Sequence, residues 1–149
     1  TAYEISLGLV GSEMCIRDRE KNEESLKKAL LNGQTVVWFN KKLIGKPDYL
    51  IPLMNSSIKV KSANYVHNTT IAHVVMSNNS DAPYTLRNQS NYDFYNATNL
   101  ITIPPHGTTI IDVRTITKKR KFDLEFEVLN ALIEPDTHPI FRIVVRPKQ

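Results

Sequence analysis

Two periodicities divide the chain. From residue 24 to residue 54, apolar side chains recur every three or four positions or run together; from residue 58 onward they alternate with polar ones. Leu26, Ala29 and Leu30 share one face of a predicted helix, which Asn22 can cap. Glu23 and Glu24 lie near its positive end, and Lys27 and Lys28 lie further along. Gly33 is placed to take the left-handed conformation that stops such a helix. Thr35-Val36-Val37-Trp38-Phe39 is an unbroken β-branched and aromatic run, which predicts a strand buried on both faces, with Trp38 as a core anchor. Residues 40–45 read as a loop. Pro47 suits the first turn of a second helix, with Tyr49, Leu50, Leu53 and Met54 on one face and Pro52 keeping it short.

Asn55-Ser56-Ser57 is a polar break, and a domain boundary is expected near residue 56. Beyond it, Ile58, Val60 and Ser62 alternate with Lys59 and Lys61, and Thr70 to Met76 form a second strand. Ser77 to Pro83 is a dense turn cluster. Further strands are expected at 84–86, 92–95, 100–103, 108–113, 122–129 and 140–145. Phe122, Leu124, Phe126 and Val128 make an inward face, and Asp123, Glu125 and Glu127 point out. Seven or eight short strands separated by turn signals predict an antiparallel β-sandwich.

The 149 residues leave room for one ordinary domain, or a small domain with an appendage. A formal charge of +4, spread along the chain, is a weak pointer to nucleic acid. No run approaches the roughly 18 apolar residues of a membrane span. Cys15 is the single cysteine, so no intrachain disulfide can form.

Residues 1–19 resemble no natural leader. No basic segment precedes their apolar part, and Glu4 interrupts it. Leu9 to Asp18 instead resembles one reading frame of a transposase sequencing adapter, and Thr1 to Ile5 resembles translated flow-cell adapter. These residues are therefore expected to be an artefact without order, replacing native sequence that continues upstream.

Candidate chemistry is sparse. No two of His67, His73, His106 and His138 stand at metal-ligand spacing, so they read as loop or surface histidines. Lys118-Lys119-Arg120-Lys121, followed by Phe122, reads as a solvated turn beside an edge strand rather than a nucleic-acid footprint. Asn55, Asn68, Asn78, Asn88 and Asn96 each begin an Asn-x-Ser/Thr triplet, which an Asn-rich composition produces by chance. Asp81, Asp93, Asp112 and Asp123 stand singly, without calcium-loop spacing. Gly33, Gly45 and Gly107 form no phosphate-binding loop, and no Ser-His-Asp arrangement is visible. No residue is assigned a catalytic, cofactor-binding or metal-binding role.

One resemblance spans residues 20–149. Glu24-Ser25-Leu26-Lys27-Lys28-Ala29-Leu30, Gly33-Gln34-Thr35-Val36-Val37-Trp38-Phe39, Leu43-Ile44-Gly45, Tyr49-Leu50 and Pro52-Leu53 carry it, with Asn79-Ser80-Asp81-Ala82-Pro83-Tyr84 and Phe126-Glu127-Val128-Leu129-Asn130-Ala131 downstream. Together they resemble the C-terminal part of bacterial exported PHP-like (polymerase and histidinol phosphatase superfamily) phosphodiesterases, with Gln34 in place of the usual Arg. The resemblance implies that 20–56 is the last helix–strand–helix portion of a distorted β/α barrel, and 57–149 an immunoglobulin-like accessory sandwich, so the chain is mostly β. It implies divalent metals held by His, Asp and Glu ligands of the upstream barrel, whose bound hydroxide attacks a phosphodiester. None of those ligands falls on residues of this chain, which would be inactive alone. The implied partner is the chain's own upstream barrel, with no nucleic acid, and the implied location is periplasmic or secreted. The alternative is a free-standing exported binding or adhesion module. The two readings part at residues 24–45: packing apart from the sandwich, with Val36, Val37 and Phe39 partly exposed, favours the fragment, and completing the sandwich core favours the module. A nucleic-acid module would need Lys59, Lys61 and Lys118 to Lys121 on one face.

Overall fold

Every apolar run between residues 58 and 145 named above forms a strand except Tyr92–Tyr95. The computed structural model describes residues 3–9, 12–18, 31–33 and 35–148. In chain order its elements are β1 (Tyr3–Leu9), β2 (Ser12–Asp18), β3 (Thr35–Phe39), β4 (Lys42–Gly45) and helix α1 (Pro47–Ser57). Then follow β5 (Ile58–Tyr65), β6 (Ile71–Asn78), β7 (Tyr84–Asn88), β8 (Leu100–Ile103), β9 (Thr108–Arg114), β10 (Phe122–Val128), β11 (Ala131–Leu132) and β12 (Ile140–Val145). The described chain is mostly β. It divides into two units, Thr1–Leu53 with Asn130–Pro139 and Met54–Leu129 with Ile140–Gln149. The expected boundary near residue 56 thus falls a little earlier, inside α1.

The first unit holds one sheet in the order β1-β2-β3-β4-β11. Its pairs are antiparallel except β4 with β11, which is parallel. Several expectations are corrected here. Residues 3–9 and 12–18, expected to lack order, are paired strands, because β2 takes up the backbone donors and acceptors along the free edge of β3. Residues 42–45, expected to be loop, form β4. Asn40 and Lys41 both adopt positive φ, 50° and 62°, the two-residue turn whose twist suits a hairpin. The strand of the expected helix–strand–helix piece is thus paired with β4 in a mixed sheet and followed by α1.

β3 is also not buried on both faces. Val36 and Leu43 are buried, with Trp38 half-buried beside them, whereas Phe39 is 53% exposed and Ile44 41% exposed on the other face. Two-sided burial needs a second covering layer, and none lies over that face among the described residues. The predicted helix before Gly33 falls outside the described residues except for helical Leu31. Gly33 has the expected left-handed φ of 64°. Helix α1 runs through Pro52 to Ser57 rather than stopping near Met54. The burial of Leu50, Leu53, Met54 and Ser57 along it offsets the one intrahelical hydrogen bond that proline forfeits.

The second unit is the expected sandwich. One sheet runs β12-β10-β7-β8 and the other β5-β6-β9, with antiparallel pairing throughout. Ala72, Val74 and Met76 of β6 and Ile111 and Val113 of β9 fill the core from one sheet. Tyr84, Leu86, Leu124, Phe126 and Phe141 fill it from the other. The inward face of β10 is as its alternation predicts.

Two departures have local causes. A bulge between Val60 and Ser62 shifts the register of β5, so Ala63 rather than Ser62 turns inward. Tyr92–Tyr95 is a loop with one isolated bridge, Phe94 to Val113. Its aromatics act as plugs rather than as a strand. Phe94 is buried 6.2 Å from the Phe126 ring, and the Tyr92 ring lies 5.2 Å from that of Phe122. The sandwich also lends a segment to the first unit. Between β10 and β12 the chain leaves as residues 130–139, and there Leu43 N donates to Asn130 O at 2.8 Å.

The Asn-x-Ser triplets at 78 and 88 have a structural origin. Asn78 Oδ1 accepts from Ser80 N at 2.9 Å and from the Ser80 hydroxyl at 2.8 Å. Asn88 Oδ1 accepts from Ser90 N at 3.0 Å and from the Ser90 hydroxyl. Both are turns closed by the asparagine side chain on the residue two ahead.

Candidate functional site

A polar arrangement of the sandwich that gathers basic side chains lies at Tyr65, the last residue of β5. The Tyr65 hydroxyl accepts from Lys119 N at 2.6 Å and donates to Lys119 O at 3.1 Å, fastening the basic turn to the sheet. Lys118 Nζ lies 5.8 Å from the Tyr65 ring centroid. Lys119 Nζ donates to the Tyr92 hydroxyl at 3.0 Å, 5.2 Å from that ring's centroid, and the Arg114 guanidinium sits 4.9 Å from the Tyr95 centroid. Cation–ring contacts of this kind hold charge against the surface without neutralising it. Buried Thr115 ties the two loops together: its hydroxyl and its N–H both donate to Thr70 O, at 2.8 and 3.0 Å.

An open cleft of about 840 Å³ lies between these loops, lined by Asn68, Thr69, Thr70, Ile71, Arg114, Ile116 and Lys118. On the other side of Tyr65 a second cleft, of about 340 Å³, follows β5 and the end of β12 past Lys61, Ser62, Asn64, Val144, Arg146 and Lys148. Tyr65 N donates to Lys148 O at 3.2 Å, which sets the C-terminal segment alongside β5. Among the described residues neither lining contains a carboxylate.

Backbone strain marks the first cleft. Ile116 has φ 62° and is 86% exposed, an unusual state for a β-branched residue. Exchanging it for asparagine, which tolerates that conformation, removes strain and no packing. Ile116→Asn is expected to stabilise the domain by roughly 1 kcal/mol, read as a higher thermal midpoint by circular dichroism.

The structure separates the other candidate residues. His73 Nδ1 pairs with Asp112 Oδ1 at 2.7 Å on the outer face of β6 and β9, and His106 Nε2 with Asp81 Oδ1 at 2.6 Å between two turns. His138 Nδ1 bonds Ala131 O at 2.8 Å in the first unit, and His67 is exposed in the β5–β6 turn. Among the described residues no three of His, Cys, Asp and Glu come together. The described residues therefore do not fit a metal cluster of the kind that the resemblance implies for the upstream barrel, and no hydrolytic step is derived through them. Lys59 stands opposite Ser77, at the far end of β5 from Tyr65. No helix among the described residues is long and apolar enough to cross a membrane.

Sequence reasoning missed the partnership of the basic turn with Tyr65 and Tyr92. The signal present was the aromatic pair Tyr65 and Tyr92, far from the turn in sequence and near it in space.

Comparison with curated proteins gives no match. Among solved structures, the fold is similar to that of a two-domain protein from Bacteroides vulgatus ATCC 8482, described as containing a "predicted PHP-like metal-dependent phosphoesterase". The TM-score is 0.74 at 21% identity, over 90% of this chain and 38% of that one, so this chain spans well under half of that protein's length. At that identity the likeness establishes the fold. Residues 58–144, more than half of the chain, match the family described as "DUF5001: Ig-like domain", and the chain belongs to that family.

Proposed function

We propose that this chain is the C-terminal, non-catalytic part of a metal-dependent phosphoesterase. In this reading the Ig-like sandwich is an accessory domain that supports an upstream PHP-like domain. The observation that carries it is the likeness, over 90% of this chain, to 38% of a two-domain protein whose description names such a phosphoesterase. The first unit supports it. β3 and β4 belong to a unit separate from the sandwich core, with Phe39 exposed and Val37 half-buried as the fragment reading expects, while Val36 is buried within that unit. In this proposal the divalent metals and the hydrolytic chemistry belong to the upstream domain. Residues 1–19 are adapter-derived, and the parent protein works in the periplasm or outside the cell.

The test is hydrolysis of bis(4-nitrophenyl) phosphate with manganese. The 149-residue chain is expected to show no turnover above buffer. The same chain joined to its genomic upstream sequence is expected to turn the substrate over and to lose that activity in chelator. Hydrolysis by the short chain, or none by the long one, contradicts the proposal.

A further inference from the structure

We infer that the two clefts flanking Tyr65 form one continuous binding track for a linear acidic polysaccharide, a chain bearing uronate or sulfate groups. Five cations line it: Arg114 and Lys118 in the first cleft, and Lys61, Arg146 and Lys148 in the second. All five are exposed. Among the described residues none of them makes an ion pair, whereas Arg87 pairs with Glu127 at 3.2 Å and Arg142 with Glu125 elsewhere on the same domain. Charge that is left uncompensated on one track and balanced elsewhere raises the local concentration of anions.

The form of the track selects the ligand. From Lys61 to Tyr65 the strand extends about 13 Å, and Lys118 of the first cleft lies 5.8 Å from the Tyr65 ring. A linear polyanion can engage that length, and a single small anion cannot. Between the cations stand neutral donors and acceptors suited to sugar hydroxyls: Asn68, Thr69 and Thr70 on one side of Tyr65, Ser62 and Asn64 on the other. Single-stranded nucleic acid would require open aromatic faces for its bases. Here the rings of Tyr65, Tyr92 and Tyr95 each carry a cation, Lys118, Lys119 and Arg114 in turn.

The experiment uses the full chain and a fluorescently labelled heparin oligosaccharide, followed by polarisation. Binding is expected, weakening steeply from about 50 to 200 mM salt as counterions are released. The triple variant Arg114→Gln/Lys118→Gln/Lys148→Gln is expected to bind at least about tenfold more weakly. The control Lys59→Gln/Arg87→Gln/Arg142→Gln removes the same formal charge from residues of the same unit that line neither cleft and is expected to change affinity less than about threefold. All six side chains are exposed, so both variants keep the fold. No binding by the unaltered chain, equal losses in the two variants, or tighter binding of a DNA oligomer of matched charge would each overturn the inference.

Discussion

Asn78→Asp is expected to destabilise the sandwich strongly at neutral pH. Asn78 ends β6 and is only 2% exposed. Its amide nitrogen donates to Ala82 O at 2.7 Å and to Pro104 O at 3.1 Å, while its oxygen accepts from Ser80. The backbone N–H of the same residue bonds Gly107 O at 2.9 Å. One side chain thus organises both turns at this end of the domain. A carboxylate would set an oxygen against two carbonyls, leaving a buried charge without a donor on that side, at a cost of about 3–5 kcal/mol. That is much of the stability of an ordinary domain. Holding the proton relieves the clash, so the buried acid titrates above its unfolded counterpart. The variant is then most stable below the usual carboxylate range, near pH 4, and loses stability as pH rises through it. Urea unfolding followed by circular dichroism at acid and neutral pH checks this. An Asn78→Asp chain as stable as the parent at neutral pH would show that the turn network is not what holds this end.

Phe126→Ala is expected to cost about 3–5 kcal/mol at every pH. Phe126 lies on the central strand β10, fully buried, with β12 on one side, β7 on the other and the Phe94 ring 6.2 Å away. Truncation leaves a cavity that two paired sheets cannot collapse into, so the loss combines lost transfer energy with lost contacts. Phe126→Leu keeps most of the volume and is expected to cost less than half as much. The same urea titration distinguishes the two, and equal effects would mean that the cavity contributes nothing.

The elements that were legible in the sequence are those in which one local rule agrees with the tertiary outcome. β10 shows its face by plain alternation, and Gly33 shows its stop by the φ that only glycine reaches freely. The failures occur where a distant partner decides. Lys61 sits at a bulge that no residue type announces, and Ala63 turns inward because β6 sets the register. The Asn40-Lys41 turn lacks the glycine that usually marks such hairpins, so β4 read as loop. Phe39 looked buried because a β-branched run implies two covering layers, and the fold supplies one. β11 is two residues long and pairs with β4 across most of the chain, which no local pattern encodes. The candidate site follows the same logic. The basic turn was visible as charge. Its anchoring depends on Tyr65 and Tyr92, brought to it by β5 and the loop after β7. The triplets at Asn78 and Asn88 were visible as motifs, and the structure shows them to be turn chemistry.

The most direct test of the account is to read the genomic locus upstream of residue 20. The expected result is an open frame that continues into Glu20, replaces residues 1–19, begins with an export signal and encodes clustered His-x-His and Asp-x-His patterns ahead of the Ig-like domain. A locus that encodes Thr1 to Arg19 as found here, or an upstream frame without such ligand clusters, would contradict it and leave a free-standing binding domain.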